Sequence, residues 1–561
     1  MPLSSISLLM CPACWPARSC SGMPSGRMSA MTHAREKPCW RRPATPSPTR
    51  SRLASPGSRL PAGREPCPTH RSPCRACHAL RCLLPSLSHP NRTDAMSDHS
   101  DFAARQARHM MQCWSAQAGY APIPVASTDG CWIETTDGRR IFDLRSAHEC
   151  INLGFRHPRV LAALREQMEK VVYVTDDFAT EPTGRLAQRL AELAPGDPGK
   201  RVYFAQSGAA AVEAAIKAAR QFQYNRMFHE GGLATADAPG QYPYPYKIIS
   251  RYKSWHGATA TAASVSGDPR RWFQEPLTVP GVVFAPEANA YRPPFGTPET
   301  FVAENLRYLD HIIENEGGSN KVAAVIVEAV VGSNGIIPPP PGSLEGIREL
   351  CDRWGLLMIV DETMSGMGRT GRLFAIEHTR VVPDIIILGK ALGASCPLTA
   401  AIFSEKVAAS FEHHIFGHGQ SYSGHALASA GAMAALDVLL EDGFLEGVQA
   451  KGRYLEGKLR DLAARHRCVG DVRGLGLFYT MELVASPDGQ EPLRKTTEKY
   501  SRTVVKEAAE FLLAEKNIYV PTDKFGIWVV PPLIVTEAEI DWFCEGIDDA
   551  LSLVDRRLAG G

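Results

Sequence analysis

LLMIVDETMSGMGRTGRLFAIEHTRVVPDIIILGK, residues Leu356 to Lys390, is the stretch around which the 561-residue chain is organised. It opens with the apolar run Leu356–Val360 and closes with Ile385–Leu388. Unbroken apolar runs fit strands buried on both faces of a parallel sheet, although periodicity alone fits a buried helix as well. Each run ends in a reactive group: Asp361 and Glu362 after the first, Lys390 one glycine after the second. Ligands of open α/β sheets sit beyond the carboxyl ends of the strands, so Asp361 and Lys390 are expected in one crevice. A carboxylate and an amine placed there suggest covalent carbonyl chemistry. The same stretch holds Gly366-Met367-Gly368-Arg369-Thr370-Gly371, a letter-perfect G-x-G-x-x-G. That motif would make the protein a Rossmann oxidoreductase, but five residues separate it from the strand it should follow directly.

Upstream, Val202–Ala205 reads as a strand running into Ser207-Gly208 and then a helix. Ala209, Val212, Ile216 and Ala219 share one face of that helix, with Glu213 and Lys217 spaced to pair on another. A serine and a glycine at a helix N-terminus can offer free N–H groups to a phosphate, or the serine can simply cap the helix. Lys247–Ser250 reads as a strand before Trp255-His256-Gly257, where the indole could lie on a flat ring. Val322–Val327 ends in Glu328, and Gly342–Trp354 reads as a crossover helix. Downstream, Gly419–His425 precedes an Ala-rich helix from Ala426 to about Leu440, followed by short strands at Arg473–Leu477 and Ile527–Val530. Near the N-terminus, Trp132–Thr135 and Arg140–Leu144 flank Asp137-Gly138, a hairpin signal of type I′.

The net charge of +1 argues against nucleic-acid binding or attraction to an anionic membrane, and no apolar run approaches the ~20 residues of a spanning helix. A soluble, cytoplasmic protein is expected, with scattered reduced thiols and no metal site. Residues 1–95 carry thirteen Arg and eight of the fifteen Cys among many Pro and Ser, without periodicity. They read as a disordered leader, with the true start at Met96. Cys74-x-x-Cys77-His78 and Cys11-x-x-Cys14 fall in this tract and read as coincidental matches to haem and zinc motifs. The remaining boundaries are 96–150, an N-terminal segment of a small domain; 151–425, a large cofactor-binding domain; and 426–561, a linking helix and the rest of the small domain.

From about residue 100 to the end the chain resembles the class III pyridoxal-phosphate aminotransferases. The match is an ordered series: Ser207-Gly208-Ala209, Trp255-His256-Gly257, Glu328, Asp361-Glu362 with the downstream Gly-Arg-Thr-Gly, Asp384 to Lys390, and Ser421-Tyr422-Ser423-Gly424-His425. The resemblance implies fold type I: a large α/β domain with a mostly parallel central sheet, and a smaller α+β domain. It also implies that Lys390 holds pyridoxal 5'-phosphate as a Schiff base, with desolvation favouring its free-amine form, and that Asp361 pairs with the pyridine nitrogen. Ser207, Gly208 and Ala209 would bind the phosphate, Trp255 and Thr363 would cover the two ring faces, and Glu328 would organise the site around the ring oxygen. Ser421 would reach the phosphate of a neighbouring subunit, making the active unit a homodimer, with pairing into tetramers open.

Relatives acting on 2-oxoglutarate through an arginine and a gating glutamate carry those residues where this chain has Trp528 and Ser333. The joint absence argues against ornithine or 4-aminobutyrate as donor. Arg473 is either a substrate-binding cation or a structural arginine, while Arg145, His148 and Glu149 are expected at the entrance. Trp114–Gln117, Pro122–Pro124 and Asp361–Gly366 are most similar to the taurine and ω-amino acid branch. The expected reaction is ping-pong transfer from a taurine- or β-alanine-type donor to pyruvate or 2-oxoglutarate. A decarboxylase, an aminomutase and an inactive cofactor-binding protein are the alternatives on the same fold. A chain starting at Met96 is expected to fold and retain full activity; loss of folding in circular dichroism would overturn the reading of residues 1–95.

Overall fold

The computed structural model describes residues 101–230, 244–275, 278–486, 491–493, 503–521 and 525–559. The expected leader, 1–95, lies outside them. The first strands are β1 (Val125–Asp129), β2 (Trp132–Thr135) and β3 (Arg140–Asp143), paired antiparallel as a meander. The β2–β3 hairpin forms where the sequence placed it, but its turn differs. Thr135 N–H donates to Arg139 O, leaving a three-residue loop in which only Gly138 has positive φ, at 83°. A type I′ turn needs positive φ at both central residues, and Asp137 does not supply it; a single left-handed glycine is the three-residue solution.

Seven strands follow: β4 (Arg201–Ala205), β5 (Lys247–Arg251), β6 (Val282–Ala285), β7 (Val322–Glu328), β8 (Leu357–Asp361), β9 (Ile385–Leu388) and β10 (Thr399–Phe403). They form one sheet in the order β4-β10-β9-β8-β7-β5-β6, in which only β10 runs antiparallel to its neighbours. Every residue of β7, β8, β9 and β10 is buried. This is the two-faced burial that unbroken apolar runs announce. The Gly208–Asn225 helix packs through Ala211, Val212, Ala215 and Ile216, all fully buried. Glu213 and Lys217 do not pair along it. Glu213 accepts hydrogen bonds from Thr259 Oγ1 and the Thr261 N–H, while Lys217 reaches His418. Tertiary partners with unsatisfied groups outcompete an exposed i,i+4 pair worth only about 0.2–0.5 kcal/mol.

The C-terminal strands β11 (Val469–Leu475), β12 (Phe478–Leu483) and β14 (Gly526–Val529) form a three-stranded antiparallel sheet, whereas β13 (Ile518–Tyr519) joins the N-terminal meander parallel to β3. No helix among the described residues is long and apolar enough to cross a membrane.

The glycine motif after β8 forms a run of turns and opens no helix. Gly368 and Gly371 adopt φ of 84° and 82°, and the chain between them buries Arg369 completely. Arg369 donates to Leu477 O at 3.1 Å, Pro531 O at 2.6 Å and Ser146 Oγ at 3.3 Å, and also to Asn152 Oδ1. One guanidinium thereby satisfies four acceptors from three distant segments, a task suited to its fixed fork of donors. Arg369→Met is expected to lower the free energy of unfolding in urea by about 3–5 kcal/mol, because it strands these buried acceptors. A loss under ~1 kcal/mol would show that water replaces the guanidinium.

Candidate active site

Strand register sets the positions of the acids. Parallel pairing places Glu328 of β7 opposite Asp361 of β8, and Asp361 opposite Ile387 of β9, just before Lys390. These strand ends open into a cavity of about 630 Å³ lined by Gly208, Ala209, Trp255, Glu328, Asp361, Thr363 and Lys390. Arg145, His148, Glu149, Arg270, Ser333 and Trp528 also line it. Asp361 Oδ2 lies 2.8 Å from His256 Nδ1, and Oδ1 accepts the Thr363 N–H at 2.9 Å. Glu328 accepts the N–H groups of Trp255 (2.9 Å) and Gly332 (2.8 Å), tying the loops after β5 and β7 together. Burial pushes the Glu328 carboxyl up to about 7; His256 opposes the rise and Asp361 adds to it. Glu362 points elsewhere, accepting the N–H groups of Ala375 and Ile376, and burial pushes it up to about 8.

Lys390 itself sits at φ 46°, at the start of a short 3₁₀ turn. Its amine does not stand in the apolar surroundings expected to free it. Glu149 Oε2 is in direct contact with Nζ. Burial alone would raise Glu149, but Lys390 and then Arg145 outweigh it and hold this carboxyl at about 2. Glu149 was expected at the entrance; its side chain is only 1% exposed and lies against the lysine.

Ser207, itself outside the cavity lining, caps the Gly208–Asn225 helix whose first residues Gly208 and Ala209 line it, its Oγ accepting the Ala210 N–H at 3.2 Å. Thr399, which opens β10 at the same sheet edge, donates to the Ser207 carbonyl at 3.0 Å. A side chain at Gly208 would bring Cβ within 3.1 Å of Thr363 Cγ2, so glycine keeps the helix terminus open. Trp255 presents its ring to the Arg270 guanidinium, whose central carbon lies 3.4 Å from the ring centroid, while Trp114 packs edge-on at 5.7 Å.

Of three further candidates, two lie outside the cavity and one within it. Ser421 is exposed and outside the cavity lining. Arg473 is also outside it, bonded to Gly335 O at 2.9 Å, Asp471 at 2.7 Å and Glu482 at 2.8 Å, which are the contacts of its structural reading. Trp528 lines the cavity although it is 1% exposed. Arg270 escaped the sequence reading altogether. The local signal for it is Asp268-Pro269: Asp268 caps this turn and grips the Arg270 guanidinium at 2.9 and 3.2 Å.

The profile of the class-III aminotransferases matches residues 114–551. Taurine–pyruvate aminotransferase of Bilophila wadsworthia is 29% identical over 469 residues, covering 82% of this chain and 99% of its own. Ornithine aminotransferase of Oceanobacillus iheyensis is 32% identical over 434 residues, covering 77% and 94%. Among solved structures, taurine:2-oxoglutarate aminotransferase from Bifidobacterium kashiwanohense, in complex with PLP and glutamate, superposes with a TM-score of 0.75 at 32% identity, over 82% of this chain and 99% of that one.

The raised Glu328 carboxyl has a definite effect on stability. Its neutral form favours the folded chain, a contribution complete below the ordinary carboxyl value of 4.5 and lost as pH rises through about 7. Glu328→Gln is therefore expected to flatten the decline in stability between pH 5 and pH 8 by up to about 3 kcal/mol, measured by urea titration without cofactor. An unchanged slope would assign the decline to another group.

Proposed function

The chain belongs to the class-III aminotransferases, and on that premise we propose that it moves the amino group of an ω-amino acid or related primary amine, of taurine or β-alanine type, to pyruvate or 2-oxoglutarate by a ping-pong mechanism. The observation that carries this reading is the convergence of Lys390, Asp361 and the Gly208 helix terminus on one cavity.

The family binds pyridoxal phosphate, and the residues present fit that group. Gly208, where a Cβ would crowd Thr363, leaves the N-terminus of its helix open to an anion. Asp361, held by His256 and the Thr363 N–H, offers a carboxylate to a ring nitrogen. Thr363 Oγ1 and His256 Nε2 are buried without a hydrogen-bond partner beside it. When bound, the cofactor supplies an electron sink for the substrate carbon that loses its proton. Lys390 would hold it covalently and, with its amine free, would move a proton at Nζ. Asp361 would keep the ring nitrogen protonated, and Ser207, Gly208 and Ala209 would bind the phosphate. Trp255 and Thr363 confine the ring, and Glu328 orients the loop that carries Trp255. Exposed Ser421 is assigned to the phosphate of a second copy, giving a homodimer.

Identity over the matched spans is as high to an ornithine enzyme as to taurine enzymes, so the donor is read from the cavity. Trp528 and Ser333 supply neither an arginine nor a carboxylate. Arg270 presents the cavity with a guanidinium, which suits a sulfonate or carboxylate one or two carbons beyond the reacting amine. The test is the visible spectrum of the loaded enzyme with taurine and no acceptor. The cofactor band is expected to bleach and then return with pyruvate or 2-oxoglutarate. A band that ignores taurine and β-alanine but responds to another amine would overturn the donor class.

A further inference from the structure

Arg270 reaches the cavity from a short 3₁₀ turn, Pro269–Phe273, with only a tenth of its side chain exposed. Its guanidinium carbon lies 3.4 Å from the Trp255 ring centroid and 5.6 Å from that of Trp114. Stacking on an indole holds a guanidinium by its face and leaves the N–H groups at its edges free to turn. What stops that rotation is Asp268. Its carboxylate is fully buried; Oδ1 accepts the Arg270 backbone N–H at 2.8 Å and Nε at 2.9 Å, and Oδ2 accepts Nη2 at 3.2 Å. Asn334, next to cavity-lining Ser333, donates from Nδ2 to the same Oδ2 at 2.8 Å and to Lys253 O at 2.6 Å.

Four donors fill the acceptor capacity of a carboxylate, and a swing of Asp268 would break all four bonds inside the protein. The Nε edge of Arg270 is thereby committed to the protein. Among the described residues no hydrogen bond engages Nη1, and this end of the fork is what remains for a ligand. An acid group in the cavity can then be bound end-on, in an orientation set before it arrives.

We propose that Asp268 is a positioning residue for substrate recognition: it sets the guanidinium edge that Arg270 offers, and so makes the cavity select donors that carry an acid group. This rests on the reading of Arg270 as the seat of that group. Two effects of Asp268 oppose each other. Its negative charge near the seat weakens the attraction for an anion, whereas the fixed pose removes the need to order a long side chain on binding. Because Asp268 holds the edge away from Nη1, the guanidinium stands between its charge and the ligand, and the second effect is the larger.

The test compares β-alanine with propylamine, which lacks the acid group, as donors to the cofactor-loaded full-length protein. Each gives a half-saturating concentration for bleaching of the visible cofactor band, and the ratio of the two measures the preference for the acid. Asp268→Asn removes the charge and puts an N–H group where a carboxylate oxygen accepted; the preference for β-alanine is expected to fall about tenfold. A merely structural role would move both concentrations alike, so an unchanged ratio would overturn the proposal. A stronger preference would overturn it too, by showing that Asp268 acts through its charge alone. Should Asp268→Asn fail to fold, Asn334→Ala releases Asp268 Oδ2 from its neighbour; a fall of about threefold is expected, and no fall would again overturn the proposal. Arg270→Met separates the two claims. It is expected to abolish the preference, and a preference that survives it would remove Arg270 from the seat, whatever Asp268 does.

Discussion

Parallel pairing of β7, β8 and β9, each buried along its whole length, is the constraint on which the rest of the molecule depends. A one-residue slip would turn every side chain of a strand to the opposite face. Because both faces here are apolar, the core alone would tolerate such a slip better than a half-exposed sheet would. The polar strand ends resist it. Glu328 and Asp361 have their hydrogen-bond partners only in the observed register, and a buried carboxylate without partners costs several kcal/mol. The groups available for chemistry thus also fix the alignment that presents them.

Much of this was legible in the chain. β9 spans the residues of its apolar run, and β8 begins one residue late and closes on Asp361. The helix after Ser207 and the crossover helix to Trp354 follow their periodicity and capping residues. What stayed hidden is non-local. Glu149 and Lys390 are 241 positions apart, and nothing in Ser146-Ala147-His148-Glu149 announces a left-handed turn, with φ of 47°, 47°, 60° and 61°, because the residues that normally signal one, glycine and asparagine, are absent. Arg270 was hidden for the same reason, its meaning depending on a tryptophan in another loop.

The glycine motif after β8 shows how a pattern and its usual physics can separate. A dinucleotide fingerprint needs glycines so that a phosphate can approach the opening turn of a helix. Here Gly368 and Gly371 allow tight turns on either side of a buried arginine. The ligand of this loop is the protein itself: the carbonyls of Leu477 and Pro531 and the side chains of Ser146 and Asn152.

The reversed direction of β10 has a consequence for how the molecule can vary. Because it runs against its neighbours, the chain leaving β9 turns back into the sheet at the same edge, and residues 389–398 are anchored at both ends by strands. Lys390 therefore rides on a short leash. Its backbone cannot drift with the longer loops at the cavity rim, and an insertion there would shift its amine relative to Asp361 and Thr363 in the same cavity. Sequence change in descendants of this chain is thus channelled into the longer connections at the cavity rim, leaving the lysine as the fixed origin from which pocket shapes diverge.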